Sequence, residues 1–578
     1  MIVASELRVG LGCMRLSTDA DRDEQRAVET IAAAAASGIT VFDTARAYGY
    51  GPTELGHNER LLAHALRACG AAASARIVTK GGMARPGSAW VPDGRARTIR
   101  ADCEASLAAL DGLPVDLYLL HAPDPRTPWR TSVRALAHLV EDGLVARVGI
   151  ANVNRGQLDE ALELAPVAAV QVALSPFDDR ALRGGVFDRC ADAEIAVIAH
   201  SPLGGPRRAR AVAGREALVE VAGAHQATPA EAALAWLLDL SPTLIAIPGA
   251  RRPETARSAA RAARLVLDDA DRALLTRSLG WPRPRRPAER PAGREDAEVV
   301  LVMGIPGAGK SRVAQGYVAR GYHRLNRDER GGSLRGIAEA LDDRLLSGAR
   351  GVVLDNTYLT RAARSHVLET AARHGVPTRC VWLDTPLAQA QVNLVERTLE
   401  RLGSLPSPDE LKGLSRREPG VMAPTSQMRA LRELEPPGDD EGFASVNRIP
   451  FERAPRKHGR AGVLVAAAVL DAPGWQAVVE RADPAAPHLV FDWRPGGSPE
   501  DLAEATTRLS TVVSGPVEAA LCPHGAGAPT CWCRPPLPGL LLAFARSNGV
   551  DPSLSTLIGT SAAHRTLATT LGARHVGL

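Results

Sequence analysis

Lysine is scarce in this chain: only four of the 578 residues are lysine, whereas 65 are arginine. Two of the four, Lys80 and Lys310, lie inside recognisable motifs. In a chain that uses arginine almost everywhere else, a retained lysine indicates a position that needs a compact ammonium group rather than a planar guanidinium. The sequence therefore predicts two separate sites that act on oxygen atoms carrying or developing charge.

Long apolar runs and a strong charge bias are also missing. The chain has no stretch of about 18 apolar residues, which predicts no transmembrane helix and no membrane partner. Its first residues lack the pattern of a signal peptide. The net charge of +4 is too small for this length to indicate nucleic acid by itself. These features are typical of a cytoplasmic protein of three to four domains, and they leave its oligomeric state open.

The first half of the chain alternates short β-branched runs with helical patterns. The runs that predict strands are Thr40–Thr44, Arg76–Lys80, Asp116–His121, Ala146–Ile150, Ala168–Val172, Ile195–His200 and Thr243–Pro248. Helical patterns such as Asp23–Ser37, Thr98–Leu110 and Pro229–Leu240 separate them. This alternation predicts an α/β fold, a (β/α)8 TIM barrel over residues 1–280.

Proline and arginine dominate residues 281–297, which predicts a stiff linker. A second strand–helix pattern predicts a P-loop α/β domain over residues 298–458. A smaller α/β domain is expected over residues 459–578.

Four polar residues, Asp43, Tyr48, Lys80 and His121, lie at or just past the carboxyl ends of predicted barrel strands. That end is the face where such barrels carry their sites. The pattern of these four residues resembles that of the aldo/keto reductase family, and the resemblance implies reduction of a carbonyl. That reaction needs a proton for the new alkoxide, and Tyr48 can donate it. A free phenol has a pKa of about 10, so we expect a neighbouring cation, Lys80 held by Asp43, to make it a better donor. His121 would orient the carbonyl oxygen.

These residues lie in the motifs Asp43-Thr-Ala-Arg-Ala-Tyr48, Val78-Thr-Lys80 and Leu119-Leu-His121, which resemble the aldo/keto reductase family over about residues 5–280. The resemblance implies NADP(H) as cofactor and a small carbonyl substrate. Matching motifs imply that two amides bind the nicotinamide carboxamide and that five further residues bind the phosphates, with Arg251 near the 2′-phosphate. The amides are Asn152 and Gln171, and the phosphate-binding residues are Ser201, Leu203, Gly204, Gly249 and Arg251.

The barrel sequence also departs from the family pattern. Ser258 and Ala259 stand where the family has Glu and Asn against the adenine, and only Leu174 and Phe177 are candidates for the ring-stacking aromatic. An alternative is therefore a barrel that senses NADP(H) without turnover.

A phosphate-binding motif, Gly304-Ile-Pro-Gly307-Ala-Gly309-Lys310-Ser311, follows an apolar strand and precedes a helical run from Ser311 to Arg320. In this context backbone N–H groups and the helix N-terminus face the phosphates of a nucleotide such as ATP. Lys310 would contact the β- and γ-phosphates, and Ser311 would hold Mg²⁺.

Downstream motifs resemble the polynucleotide 5′-hydroxyl kinase family over about residues 298–455. They are Asn326-Arg327-Asp328, Asp355-Asn356-Thr357 and the run ending at Arg397. The resemblance implies a nucleic acid with a 5′-hydroxyl end, RNA or DNA, as acceptor. Asp328 would take the proton of the hydroxyl, and Arg397 or Arg401 would cover the γ-phosphate.

Three alternatives stay open for this domain. Asn326 can be a helix cap, the acceptor can be a small hydroxyl compound, and Arg324, Arg327 and Arg330 can form either a nucleic-acid contact or a solvated face.

Four soft or borderline metal ligands, Cys522, His524, Cys531 and Cys533, lie within twelve residues. They predict a closed tetrahedral Zn²⁺ site with a structural role; unligated thiols are the alternative. The surroundings, residues 462–578, resemble the zinc-bearing sugar bisphosphate phosphatases of the haloacid-dehalogenase superfamily.

The residues that such a phosphatase needs are replaced. Val465 and Ala467 stand at the two Asp positions of the nucleophile motif, Pro535 stands at the Lys position, and Thr560 and His564 replace the Mg²⁺-binding Asp residues. Without a carboxylate nucleophile no phospho-aspartyl intermediate forms, so we expect no phosphatase activity.

Together these patterns predict a fusion of an NADP(H)-dependent oxidoreductase, an ATP-dependent kinase for nucleic-acid repair and a zinc-bound pseudo-phosphatase. The alternative is one working kinase beside a sensing barrel and a zinc-bound scaffold.

Overall fold

A computed structural model describes residues 6–279, 296–415, 417–418, 420–452 and 459–578. The chain divides into two compact units, Met1–Ala288 and Glu289–Leu578, and each is described by itself. The predicted linker, 281–297, lies outside the described residues except for its last two. The predicted domain boundaries stay a prediction. Within the described part of the chain, no helix combines the length and hydrophobicity needed to span a bilayer.

The first unit is built on one parallel sheet of eight strands, which confirms the predicted α/β barrel. A parallel bridge between Val9 and Ala246 connects the two edge strands, so that the sheet closes on itself. In spatial order the strands are β1 (Gly10–Gly12), β2 (Val41–Asp43), β3 (Arg76–Gly81), β6 (Val115–Leu120), β7 (Val148–Ala151), β8 (Val167–Ala173), β9 (Ala196–His200) and β10 (Leu244–Ile247). The remaining two strands, β4 (Met83–Ala84) and β5 (Val91–Pro92), form an antiparallel hairpin after β3.

Helices connect the barrel strands, and local capping explains where several of them begin. Asp23 accepts a hydrogen bond from the N–H of Arg26, and Thr228 and Glu231 form a capping box. The helices are α1 (Arg15–Thr18), α2 (Glu24–Ala36), α3 (His57–Ala68), α4 (Ala96–Ala109), α5 (Trp129–Glu141), α6 (Arg155–Leu162), α7 (Arg180–Arg183), α8 (Val186–Asp192), α9 (Gly205–Arg208), α10 (Glu216–Ala224), α11 (Pro229–Asp239), α12 (Pro253–Ala262) and α13 (Asp269–Leu279).

The first strand, β1, was not predicted because its sequence, Gly-Leu-Gly, has low strand propensity. Its glycines are needed for close strand approach. A Cβ at Gly10 would lie 2.9 Å from the carbonyl oxygen of Val41, and one at Gly12 would lie 2.9 Å from that of Ile247. Strand pairing therefore overrides local propensity here.

Side chains fill the interior of the barrel, as expected for a core rather than a pore. The interior cluster is Val41, Val78, Leu117, Leu119, Ala169, Ile198, Ile245 and Ile247. A larger apolar layer packs between the strands and the surrounding helices. The polar residues of the site lie beyond this interior cluster, at the carboxyl ends of the strands.

The second unit contains two parallel sheets of five strands each. The first sheet, in spatial order, is β12 (His323–Leu325), β13 (Gly351–Asp355), β11 (Glu298–Met303), β14 (Thr378–Asp384) and β15 (Ser445–Pro450). Its helices are α14 (Lys310–Val318), α15 (Arg327–Arg330), α16 (Leu334–Leu346), α17 (Arg361–Arg373), α18 (Leu387–Leu402), α19 (Pro408–Leu414) and α20 (Pro424–Glu433). The strand order reverses at β11, and ligands of open α/β sheets bind at such points.

The other sheet, in spatial order, is β18 (Val517–Cys522), β17 (His488–Trp493), β16 (Val463–Ala466), β19 (Thr556–Gly559) and β20 (Arg574–Gly577). Its helices are α21 (Trp475–Glu480), α22 (Ala503–Ser510), α23 (Gly539–Ser547) and α24 (Ala562–Leu571). Helix α18 contributes Val392, Leu394, Val395 and Leu399 to the apolar core of this sheet. One helix therefore borders both sheets of the unit.

Candidate functional site

The barrel brings Lys80, Asp43 and Tyr48 together at the ends of β2 and β3. The Lys80 ammonium donates to both carboxylate oxygens of Asp43, at 2.7 and 2.8 Å, and to the carbonyl oxygen of Thr44 at 2.8 Å. Its distance to the hydroxyl oxygen of Tyr48 is 3.2 Å. The side chain of Lys80 is fully buried, so the ammonium exchanges water for these four oxygens.

His121 lies across the same opening from Tyr48. Their ring centroids are 5.8 Å apart, with the planes nearly perpendicular. The Nδ1 atom of His121 is buried and has no hydrogen-bond partner among the described residues. The four residues that the sequence singled out thus form one cluster.

Burial and the charge of Lys80 act in opposite directions on the pKa of Tyr48. Burial raises the pKa of Tyr48 above its ordinary value, and the Lys80 ammonium offsets only part of that rise because Asp43 lies close by. Burial acts to lower the pKa of Lys80, but Asp43 and Tyr48 together hold it above its ordinary value. The neighbouring cation that the sequence predicted therefore lowers the pKa of Tyr48, but burial outweighs it.

Two histidines at this end of the barrel stay neutral at pH 7. Burial, followed by the charge of Lys80, holds the pKa of His121 well below its usual range. Burial and Lys80 also lower the pKa of His200 to about 4. A neutral imidazole at His121 can donate or accept a hydrogen bond without adding another charge beside Lys80.

The amides expected at the cofactor lie beside the cluster, on β8 and just after β7. Gln171 donates to Asp43 at 2.7 Å. Asn152, at a φ of 59°, donates to the carbonyl oxygen of His121 at 2.9 Å, and its oxygen lies 3.0 Å from Nε2 of His200. The role of His200 in holding this amide was not predicted.

The residues expected at the cofactor phosphates follow β9 and β10. Ser201 accepts the N–H of Gly204 in a tight turn, and Leu203 lies within that turn. A Cβ at Gly249 would make an ordinary van der Waals contact with the carbonyl oxygen of Gly12, at 3.7 Å, so no protein atom crowds this backbone. These two loops lie at the carboxyl ends of barrel strands, the face where the other predicted site residues lie.

Arg251, by contrast, is already paired. Its guanidinium lies 3.2 Å from Asp19 and 2.8 Å from Asp21. A 2′-phosphate would therefore compete with two carboxylates. Ser258 donates to Glu231 on α11 at 2.8 Å. Of the two candidates for the stacking aromatic, Leu174 is fully buried, whereas the partly buried Phe177 packs against the turn at Gly204.

The phosphate-binding loop of the second unit joins β11 to α14. Gly304, Gly307 and Gly309 have φ values of 150°, 86° and 95°, which only glycine adopts readily. A Cβ at Gly307 would also lie 2.3 Å from the carbonyl oxygen of Ala390. Ser311 is exposed at the start of α14. The loop and the helix N-terminus therefore present N–H groups to an anion.

Lys310 folds back over this loop. Its ammonium donates to the carbonyl oxygens of Gly304 at 3.0 Å and Ile305 at 2.9 Å. Burial, followed by the opposing effects of Asp355 and Arg397, lowers its pKa to about 8. The ammonium thus has backbone partners but no paired carboxylate among the described residues.

The residues expected around the acceptor line the loops after β12 and β13. Asn326 caps α15: its side-chain oxygen accepts from the N–H groups of Asp328 and Glu329. Asp328 itself is about half exposed. Asn356 accepts from the N–H of Arg327 at 2.8 Å, and the carbonyl oxygen of Thr357 accepts from the N–H of Gly304 at 3.2 Å. The helix cap uses the side chain of Asn326 and not the carboxylate of Asp328. Asn326 can therefore cap the helix while Asp328 keeps its predicted role as a base.

Arginines near this site are partly neutralised. Arg324 pairs with the buried Asp355 and with Glu329. Arg397 lies on α18 and lines a cavity of about 940 Å³ together with Gly307, Gly309 and Asn393. The sequence predicted that Arg397 or Arg401 covers the γ-phosphate. Of these two arginines, Arg397 is the one that lines the cavity at the phosphate-binding loop.

The four predicted metal ligands converge after β18. The sulfur of Cys522 lies 3.5 Å from Nδ1 of His524, 3.7 Å from the sulfur of Cys531 and 3.3 Å from that of Cys533. All four ligand atoms lie within 4.8 Å of one another. Ligands at about 2.0–2.3 Å from a tetrahedral Zn²⁺ have such separations, so the set fits this ion.

The positions that a phosphatase would use are apolar or unsuited to nucleophilic attack. Val465 and Ala467 lie at the carboxyl end of β16, the middle strand of its sheet. Across from them, Nδ1 of His564 accepts the N–H of Thr560 at 3.2 Å, and its ring stacks edge-on against Phe491.

Two residues that the sequence analysis missed complete the barrel site. Arg85 and Trp90 lie in the loop of the β4–β5 hairpin, and the Trp90 ring centroid is 6.0 Å from those of both Tyr48 and His121. The only sequence signal was their position directly after the Lys80 strand.

Both units of the chain resemble known protein families. Residues 8–279 match the model of the aldo/keto reductase family, and residues 299–410 match that of an AAA domain. A probable aldo-keto reductase of Glycine max is 31% identical over 280 residues, which covers 42% of this chain and 76% of the relative. An aldo-keto reductase of Strobilurus tenacellus is 27% identical over 264 residues, 40% of this chain and 74% of the relative.

Among solved structures, an aldo/keto reductase from Klebsiella pneumoniae in complex with NADP and acetate is 26% identical and covers 48% of this chain and 93% of that chain, with a TM-score of 0.42. The family match and the curated relatives define the first unit as an oxidoreductase built on a (β/α)8 barrel. Through this unit the chain belongs to the aldo/keto reductase family. The second unit carries a P-loop nucleotide-binding domain.

Proposed function

We propose that the barrel reduces a small carbonyl compound with NADP(H). The single observation that carries the proposal is the buried Lys80 ammonium, which joins Asp43 to the hydroxyl of Tyr48. NADPH would supply a hydride to the carbonyl carbon. The loops at Ser201–Gly204 and Gly249 would hold its phosphates through backbone N–H groups, and Asn152 and Gln171 would contact its carboxamide.

The chain's own residues account for the proton. Tyr48 would donate its hydroxyl proton to the forming alkoxide, and the Lys80 ammonium at 3.2 Å would stabilise the phenolate that remains. Asp43 keeps the ammonium in place. His121, neutral because of burial, would orient the carbonyl oxygen.

NADPH oxidation with aromatic aldehydes tests this proposal. Wild-type protein should oxidise NADPH, and Tyr48→Phe should lose at least 10²-fold in kcat because the proton donor is gone. If wild-type protein binds NADPH but oxidises none of it across a panel of aldehydes, the barrel is a sensor instead.

For the second unit we propose ATP-dependent phosphorylation of polynucleotide 5′-hydroxyl ends. ATP with Mg²⁺ would supply the phosphoryl group. Lys310 would turn from its backbone partners to the phosphates, Ser311 would bind Mg²⁺, and Arg397 would neutralise charge on the transferred group. Asp328 would accept the proton of the hydroxyl.

Label transfer from the γ-phosphate of ATP to 5′-hydroxyl RNA and DNA tests the kinase. Lys310→Ala should abolish transfer, and Asp328→Ala should reduce it by 10²-fold or more, on the order of a general-base contribution. Lys412→Ala is the matched control, since Lys412 is exposed on α19. Transfer to nucleosides alone would favour the small-molecule alternative over the polynucleotide assignment.

For the last sheet we propose a Zn²⁺-bound scaffold without phosphatase activity. Cys522, His524, Cys531 and Cys533 would ligate the ion, and the four ligands leave no open coordination position. Val465 and Ala467 offer no nucleophile. The cytoplasmic location expected from the sequence stays a prediction.

A further inference from the structure

Among the described residues, one arginine at the mouth of the barrel has no acidic side chain as an ion-pair partner. Arg85 is 7% exposed, and it belongs to the loop of the β4–β5 hairpin. Its Nη1 donates to the carbonyl oxygens of Ala47 and Gly49, both at 3.1 Å, whereas its Nε is buried without an acceptor. No carboxylate in the described part of the chain contributes to the pKa of Arg85, which burial alone lowers.

Three carboxylates of the surrounding loops and strands pair with other cations. Asp43 pairs with Lys80, Glu54 pairs with Arg22, and Asp19 pairs with Arg15. The cavity of about 600 Å³ beside Arg85 has no acidic side chain among its lining residues. Its walls include Tyr50 and Trp90 beside Arg85. The opening therefore carries uncompensated positive charge.

Burying a cation without a counter-ion costs stability, because the charge loses its hydration. Two backbone carbonyls and the ring of Trp90, 3.9 Å from the guanidinium carbon, offset part of this cost. A neutral donor could make the same two hydrogen bonds. The retained charge thus indicates a ligand that brings the missing anion.

The position of Arg85 ties that anion to the reaction centre. The two carbonyls that it contacts flank Tyr48 on both sides in the chain. Trp90 contacts the guanidinium, and its ring also lies near the rings of Tyr48 and His121. One flat molecule could stack along Trp90 with its carbonyl at Tyr48 and its anionic end at Arg85.

We propose that Arg85 and Trp90 make the barrel selective for aromatic carbonyl compounds that carry a carboxylate. The proposal rests on the proposed reductase function and names the substrate class of that site. A guanidinium binds a carboxylate through charge-assisted hydrogen bonds, each stronger than a neutral one.

The test compares 4-formylbenzoate with its methyl ester, in which methylation removes the charge and keeps the aldehyde. We expect wild-type protein to prefer the acid in kcat/KM, mainly through a lower KM. Arg85→Gln should reduce that preference about 10- to 100-fold, since a hydrogen bond to a charged group contributes about 1.5–3 kcal/mol. Comparing the ratio between variants cancels the intrinsic reactivity of the two aldehydes.

Controls separate selectivity from a structural role of Arg85. Arg130→Gln changes an exposed arginine on α5 and should keep the preference of the wild type. Arg85→Lys should retain part of it. An equal loss for acid and ester in Arg85→Gln would overturn the proposal and leave Arg85 as a residue that only positions the Tyr48 loop. Equal kcat/KM for the two aldehydes in wild-type protein would overturn it too.

A binding measurement keeps this test separate from the reductase assay. If neither aldehyde is reduced, the proposed reductase activity fails, and calorimetric titration with 4-formylbenzoate still decides the anion site. Binding by the wild type that is lost in Arg85→Gln supports the site. Absence of binding by the wild type contradicts it.

Discussion

At the scale of single residues, the two lysines of the candidate sites are held in different ways. Lys80 is locked by the carboxylate of Asp43, whereas Lys310 donates only to backbone carbonyls. The ammonium of Lys80 lies in a fully buried space. The guanidinium of an arginine at this position is larger and would have to fit the same space. The first ammonium is therefore fixed beside one phenol, and the second is free to exchange its partners for phosphate oxygens.

The first prediction concerns the stability of the Lys80–Asp43 pair. Lys80→Met should lower the free energy of unfolding of the barrel by about 3–5 kcal/mol, because it leaves a buried carboxylate unpaired. Lys412→Met, at an exposed lysine, should cost less than about 1 kcal/mol. Hydrogen exchange of peptides from residues 6–279 in urea measures the barrel directly. Adding Asp43→Asn to Lys80→Met should restore part of the lost stability. Equal losses of stability in Lys80→Met and Lys412→Met would contradict the prediction.

The second prediction follows from the pKa of Lys310, about 8 in the protein without nucleotide. Phosphate oxygens favour the charged ammonium and raise its pKa, so ATP binding should take up protons where the free ammonium is partly deprotonated. Uptake should approach about half a proton at pH 8 and fall towards zero at pH 6.5, where Lys310 is already charged. Calorimetry in buffers with different ionisation enthalpies counts these protons. The same uptake at both values of pH would exclude Lys310 as the titrating group.

At the scale of elements, the sequence predicted those strands whose pairing needs no special backbone. The barrel strands from β2 onwards have β-branched runs, and their helices begin at capping residues such as Asp23 and Thr228. Strand β1 escaped prediction because its glycines serve close strand contact. The cluster of Asp43, Tyr48, Lys80 and His121 could be placed from sequence because each member lies at or just past the carboxyl end of a strand.

Tertiary folding supplies what the sequence could not give. Arg85 and Trp90 come close to Tyr48 and His121 because they lie in the loop of the β4–β5 hairpin. No sequence periodicity predicts where such a loop folds. The net effect of burial and charge on the pKa of Tyr48 could not be predicted for a similar reason. Its direction depends on how completely the fold removes water from the phenol, which the motif does not state.

Helix α18 carries the third prediction, because its two sides serve different sheets. Asn393 donates to the carbonyl oxygen of Gly307 at 2.8 Å, and Arg397 lines the same cavity. Leu399 packs in the core of the other sheet. Leu399→Ala should therefore lower the stability of the second unit by about 2–5 kcal/mol and also weaken ATP binding.

The matched control for this helix is Leu346→Ala, which removes an exposed leucine at the end of α16. It should change stability by no more than about 0.5 kcal/mol and leave ATP affinity as in the wild type. Chemical denaturation and equilibrium ATP titration give the two quantities. Lost stability with unchanged ATP affinity in Leu399→Ala would mean that the two sides of α18 act independently.

At the scale of the whole molecule, each unit has its own apolar core, a layered one in the barrel and a set of three clusters in the second unit. A ligand that binds only the folded form of one unit stabilises that unit, by about 2.7 kcal/mol at a hundred times its Kd. NADPH should therefore raise the melting temperature of one calorimetric transition, and ATP with Mg²⁺ should raise that of the other. A zinc chelator should lower only the transition that ATP raises, because the cysteine cluster packs in the core that includes α18. Lys310→Ala should abolish the ATP-dependent shift and keep the NADPH-dependent one. A single transition that moves with all three reagents would instead show that the chain unfolds as one cooperative block.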